Sequence, residues 1–260
     1  VKGRWSASWA GAAPLALFLV LPLAALFVSV GPTGVLGALS EPSARAAIWL
    51  SAKTTTVALA VIVLAGTPLA WRLARSSGRA ARVLETLVEL PIVIPPAVVG
   101  VALLQTYGRR GLLGPALEAI GVQVTFTTVA VIVAQIVVAA PFFVSGATAG
   151  FRRIDEEQML VARTLGDTPF EAFRRVALPA ALPSLVAAAA LAWARALGEF
   201  GATLFFAGSM QGETQTMPLA VFAALESDVG EANALAVLLA TAAFVALFVI
   251  RVLTRRGETR

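Results

Sequence analysis

Nearly uncharged apolar runs long enough to cross a bilayer recur along this chain, around residues 12–30, 52–73, 90–107, 125–150, 181–207 and 232–252. A helix needs about 20 residues to cross the hydrocarbon core, where only protein can satisfy a backbone N–H or C=O. Helices and closed barrels meet that condition. Barrel strands are short and alternate in polarity, whereas these runs are long and continuous. The chain therefore reads as an all-α integral membrane protein with six transmembrane helices. Composition agrees, with 58% of residues hydrophobic and 13% charged, far from a soluble domain.

The first run follows Lys2 and Arg4, exceeds the apolar core of a signal peptide, and ends at Gly31-Pro32,. Residues 33–50 read as an outer connection with a short interfacial helix near Ala44–Leu50. The third run opens with LPIVIPPAVVG, in which Pro91, Pro95 and Pro96 cannot continue a helical ladder,. That approach is expected to be kinked and shielded by protein. Pro141 interrupts the fourth run, and a polar loop over 208–231 separates the fifth from the sixth. The whole of 1–260 reads as one transmembrane domain.

Six spans place both termini on one side. With the termini inside, fifteen of the 20 Lys and Arg are cytoplasmic, and Arg45, Lys53, Arg109 and Arg110 are outside. That bias sets the orientation. The last outer loop agrees, carrying Glu213, Glu226, Asp228 and Glu231 with no cation. The net charge of +5 then reflects basic cytoplasmic loops and gives no reason to invoke nucleic acid. The chain has no Cys and no His, so disulfides, the usual metal ligands and the commonest general base are all missing. No catalytic or metal residues are assigned.

The cytoplasmic loop 152–179 is the most structured non-membrane stretch. Asp155 reads as an N-cap with Gln158 completing a capping box, and Ile154, Val161 and Leu165 share a face with Ala162 beside them. Gly166 stops this helix. Thr168 then caps a second helix, with Pro169 at its first position and Glu171 three residues on. Phe170 and Phe173 share a face, Arg174 and Arg175 suit the C-terminal end, and Pro179 and Pro183 mark the start of the fifth span. Such an elbow with two exposed Phe is either a docking surface or an amphipathic elbow resting on lipid headgroups.

Arg195 and Glu199 are the strongly polar pair well inside a span. They read either as pore-lining groups, with Arg195 attracting an anion, or as a structural ion pair. Gly198, Gly201, Gly208 and Ala202 have helix-packing spacing, with a gate hinge as the alternative. Thr203 joins the candidate pore and gate set. Thr214, Gln215 and Thr216 could donate hydrogen bonds to an anion or simply form a polar loop tip. Leu219–Leu225 is apolar but too short to span, which suits a segment dipping into an interface. Arg109 and Arg110 oppose the inside rule and read as a solvated loop or a protein contact.

The segment LVARTLGDTPFEAFRRVALP (160–179) resembles the cytoplasmic "EAA" loop of ABC importer permeases. Ala162, Gly166 and Leu178-Pro179 match its pattern, while Leu160 and Val161 stand where that loop has Glu and its first Ala. LGEFGATLFFAGSMQGETQTMPLAVFAALE (197–226), LPIVIPPAVVG and YGRRGLLG (107–114) resemble the molybdate/tungstate branch, with sulfate/thiosulfate permeases as close relatives. The resemblance implies a homodimeric type I importer permease in a bacterial or archaeal cytoplasmic membrane, both termini inside. It further implies two ATPase subunits docked through Ala162, Gly166, Asp167, Thr168, Pro169, Phe170, Glu171, Phe173 and Pro179, and an extracytoplasmic binding protein. ATP and Mg would be held by the partner, since no G-x-x-x-x-G-K-S/T loop occurs here,. An ATPase-independent channel or secondary transporter is the competing expectation.

Overall fold

A computed structural model describes residues 4–257, and all regular elements among them are helical. Lys2 and Arg260 of the charge pattern lie outside the described residues, as do the side chains of Arg4, Arg251, Arg255 and Arg256. Helix α1 (Arg4–Ser40) bends at Gly31, whose φ of 65° and ψ of 169° leave the helical region just before Pro32. Beyond the bend the chain stays helical to Ser40. Helix α2 (Pro42–Ala74) then starts at once. The interfacial helix expected near Ala44–Leu50 is thus the first two turns of α2. Tertiary packing explains the difference, because Ala44 and Ala47 are buried against the region of Met217 and Leu235.

Helix α3 (Arg79–Val93) and helix α4 (Pro96–Tyr107) are bent 115° apart. The break has a local cause. A residue preceding proline is pushed out of the α region, and both Ile94 (ψ 132°) and Pro95 (ψ 134°) precede one. The third run therefore does not start a helix at Leu90, as its boundary implied. Helix already runs through the basic stretch from Arg79 and tolerates Pro91 in its last turn. Protein covers the break, since a side chain at Gly201 would lie 3.1 Å from the Ala97 nitrogen and from Pro96.

A short helix α5 (Gly114–Ala119) leads to α6 (Thr128–Arg152), capped by Thr127, whose hydroxyl accepts from the Ala130 amide at 3.3 Å. Helix α6 is the centre of the fold. Its Ala139, Phe143, Ala147 and Phe151 are buried with Ile62 and Ala70 of α2 and with Ala181, Leu185 and Ala188 of α9 (Leu178–Leu197). In lipid, apolar transfer gives helices little reason to associate, so close packing of small residues must hold them. The buried set is accordingly rich in alanine. At Gly150, an added Cβ would sit 2.5 Å from Ser184 Cβ, and at Gly146, 2.8 Å from Ala188 Cβ.

Between α6 and α9 lie α7 (Glu156–Thr164), α8 (Pro169–Ala172) and a π turn (Phe173–Ala177) that continues into α9. Pro179 thus sits in the first turn of α9 and Pro183 just inside it, in a helix that the π turn leads into without a break. The fifth run is instead interrupted at 198–200, after which α10 (Gly201–Ala207) resumes. The expected polar loop 208–231 contains α11 (Met217–Leu225), followed by α12 (Val229–Gly257). Among the described residues, four helices are long and apolar enough to cross a membrane, and five if the α3–α4 pair is one span.

Replacing Gly150 by Val forces α6 away from α9 and is expected to cost about 1–3 kcal/mol. Thermal unfolding in detergent reads the shift, against Gly37→Ala inside α1, where nothing lies within 4 Å and no loss is expected.

Candidate functional site

The elbow is built from four local devices. Asp155 caps α7, accepting from the Glu157 amide at 3.0 Å. This is a single cap rather than the box expected with Gln158. At the other end the Asp167 amide reaches Ala162 O and the Gly166 amide reaches Arg163 O, a Schellman termination. Gly166 has φ +100° there, a conformation open to glycine and strained for other residues. Thr168 and Glu171 complete a reciprocal capping box, with Glu171 Oε2 accepting from the Thr168 amide at 2.8 Å and the Thr168 hydroxyl accepting from the Glu171 amide at 3.3 Å. Arg175 then pairs with Asp167 at 2.6 Å, closing the elbow on itself. The Thr168 backbone and hydroxyl bonds hold the Glu171 carboxyl below the usual glutamate range,.

Which side chains face outward differs from the expected face. Ala162 and Ile154 are buried, whereas Leu160, Val161, Leu165 and Phe170 are exposed, Leu165 by 83% and Phe170 by 70%. Val161 and Leu165 thus leave the Ile154 face and, like Phe170, point outward. Phe173 is not an exposed partner of Phe170. It turns inward, its ring 5.0 Å from Trp71 and 6.0 Å from Phe151. Trp71 in the last turns of α2 and Arg75 beside it were missed by sequence reasoning. An interfacial Trp next to cytoplasmic arginines was the available signal.

The second group lies at the break after α9. Arg195 Nη1 is 2.7 Å from Glu199 Oε2, with the guanidinium out of hydrogen-bond alignment. Glu199 Oε1 accepts from the Ala202 amide at 2.8 Å, so the buried carboxylate serves the first turn of α10. Gly198 ends α9, while Gly201 and Ala202 pack closely on α4. Thr203 is fully buried with no partner for its hydroxyl.

Thr214, Gln215 and Thr216 are buried rather than displayed at a loop tip. The Thr214 hydroxyl accepts from the Met210 amide at 2.9 Å, and Gln215 donates to Ser209 at 3.3 Å. Ser51 of α2, also missed, accepts from the Met217 amide at 2.8 Å and ties this segment to the spans. Leu219 is buried in α11 while Phe222 and Leu225 are half exposed. Arg109 pairs loosely with Glu118 at 3.4 Å, both well exposed. Among the described residues no group of acidic side chains is placed to hold a metal ion.

Residues 62–258 match the family described as "Binding-protein-dependent transport system inner membrane component". The chain belongs to that family. It is 43% identical over 227 residues to the Mycobacterium tuberculosis "Molybdenum transport system permease protein ModB", covering 87% of this chain and 86% of that one. It is 32% identical over 248 residues to the Salmonella typhimurium "Sulfate transport system permease protein CysT", covering 94% and 90%. A solved bacterial alginate ABC transporter in complex with a pentasaccharide-bound periplasmic protein shares the fold. Its TM-score is 0.76 at 16% identity, over 98% of this chain and 96% of that one. In a binding-protein-dependent inner membrane component, the elbow and the α9–α10 break are two places where polar chemistry departs from plain span packing.

Two outcomes are expected. Because the Glu171 pKa is lowered on folding, its contribution to α8 is complete above the usual glutamate pKa and is lost as pH falls through the lowered value,. Hydrogen exchange over 169–172, corrected for intrinsic rate, should therefore rise in acid for the native chain. Glu171→Gln should flatten that dependence. At the break, Arg195→Met strands a buried carboxylate, an effect of about 3 kcal/mol. The double variant Arg195→Met, Glu199→Gln should recover most of that thermal stability, since the amide oxygen can still accept from Ala202.

Proposed function

We propose that this chain is the six-span permease subunit of an ATP-driven ABC importer that moves molybdate, or a closely related tetrahedral oxyanion, into the cytoplasm. The six spans are α1, α2, the bent pair α3–α4, α6, the broken pair α9–α10, and α12, with both termini cytoplasmic. Two copies form the path across the membrane, and each presents its elbow to one ATPase subunit, which holds ATP and Mg. An extracytoplasmic binding protein delivers the anion.

The observation that carries this reading is the elbow's construction. Two caps, a Schellman turn and an internal ion pair fix a small rigid body. That body displays Leu160, Val161, Leu165 and Phe170 rather than hiding them. A preformed apolar group on a rigid mount loses little entropy when covered. Similarity to the molybdenum permease supports the substrate, as does the reading of family membership for a binding-protein partner. The 32% identity to the sulfate permease over nearly the whole chain keeps sulfate as the second reading. Both anions are tetrahedral and doubly negative, and the same path would carry either. Tungstate falls in the same class.

Tagged protein purified in mild detergent should bring down an ATPase subunit. Leu165→Glu with Phe170→Glu, both at exposed positions, should reduce that recovery by about tenfold, equivalent to about 1.4 kcal/mol. Reconstituted with its ATPase and binding protein, the wild type should import molybdate only with ATP. Preferential sulfate import would move the second reading to first place. Failure to capture any ATPase would assign the elbow to the lipid surface and favour a channel or secondary transporter.

A further inference from the structure

The elbow is joined to the spans in three places that differ in stiffness. It leaves α6 through the short link at Arg153–Asp155. It runs on into α9 through the π turn, where the Leu178 amide bonds Phe173 O, one residue further back than in an α-helix,. Just beyond, Pro179 and Pro183 withdraw two amide donors from the first turns of α9,. This junction resists twisting less than a regular helix would. The third attachment is lateral. Phe173 is wedged against Trp71 of α2 at 5.0 Å and Phe151 of α6 at 6.0 Å, and those two rings meet edge-on at 5.3 Å.

The wedge is reinforced from its cytoplasmic side. Arg75 lies over the Trp71 ring at 4.6 Å and reaches Glu156, in the first turn of α7, at 3.4 Å. Trp71 therefore touches both halves of the elbow, Phe173 directly and α7 through Arg75. Phe151 is fully buried, so a displaced Phe173 cannot move without carrying α6 or opening a void. The directly continuous connection, into α9, has fewer regular helical hydrogen bonds than an unbroken α-helix.

We propose that Trp71, with Phe151 and Phe173, is the joint that passes elbow displacement to α2 and α6, and that Trp71 is a positioning residue for ATP-driven transport. The proposal rests on the elbow being the ATPase docking site. Trp71 touches no substrate. Its task is to keep the elbow and the two central spans moving as one body.

The test uses the full complex with ATPase and binding protein in proteoliposomes, with ATP hydrolysed and molybdate imported measured separately on the same vesicles. Trp71→Ala should retain the ATPase subunit and hydrolysis within about twofold while import falls about tenfold, raising the ATP used per anion. Trp71→Phe, which keeps an aromatic face for Phe173, should restore most of the import. An unchanged ratio of import to hydrolysis in Trp71→Ala would overturn the proposal. So would a parallel fall in both activities that Trp71→Phe fails to reverse. If Trp71→Ala does not accumulate, Trp71→Leu is read by the same ratio. Failure of the wild type to bind an ATPase would instead remove the docking reading, a result visible before any variant is compared.

Discussion

Every feature of this molecule answers to one constraint: inside a bilayer, a backbone amide or carbonyl must find its partner within the protein. Long α-helices meet it by default, and the informative places are those where the helices stop. At Ile94–Pro95 the ladder is broken by two successive pre-proline residues, and the Pro95 carbonyl is taken up by the Val98 and Val99 amides. At 198–200 the first amides of α10 lack an intrahelical partner, and Glu199 supplies one. The two breaks face each other, with Gly201 against Pro96 and Gly100 against Ala202. Each supplies the protein cover the other needs.

The elbow obeys the same accounting in water. Its caps satisfy helix ends that are too short to survive on propensity alone. Because those ends are satisfied locally, its outward apolar side chains need not collapse onto the spans to stabilise it. Rigidity and exposure are thus two results of one set of hydrogen bonds. The inward side is held by different means: aromatic contact at Trp71, Phe151 and Phe173, and the ion pair of Arg75 with Glu156. A partly exposed pair of that kind contributes little by itself, which leaves the packed rings as the stronger attachment.

How much was legible depended on whether the cause was local. Thr168, Pro169 and Glu171 encode their own box within four residues, and Gly166 encodes its own termination, so the elbow's two helices could be read directly. The tripled proline at 91–96 announced a break. Which face of α7 turned inward was not readable, because amphipathic spacing fits either side and small Ala162 was the residue that fitted under the spans. Phe173 was misplaced for a related reason. Phe170 and Phe173 stay in helical register, the Phe173 amide reaching Pro169 O, but residues three apart are offset by about 60° around a helix, and Trp71 and Phe151, distant in sequence, take Phe173 inward. The outer helix near Ala44–Leu50 merged into α2 because of contacts with Met217 and Leu235, distant in sequence.

Arg195 illustrates how geometry narrows a charge-based argument. In the sequence it is a cation within a span, an obvious attraction for a dianion. In the structure its guanidinium is 2.7 Å from the buried Glu199 carboxylate, so an anion arriving there meets a charge already largely compensated. Glu199 cannot simply withdraw, because its other oxygen holds the Ala202 amide at the start of α10. Any gain from binding an anion at Arg195 must therefore exceed the loss of a buried pair. The two oxygens of one carboxylate divide the work, Oε2 facing Arg195 and Oε1 holding the backbone at the start of α10.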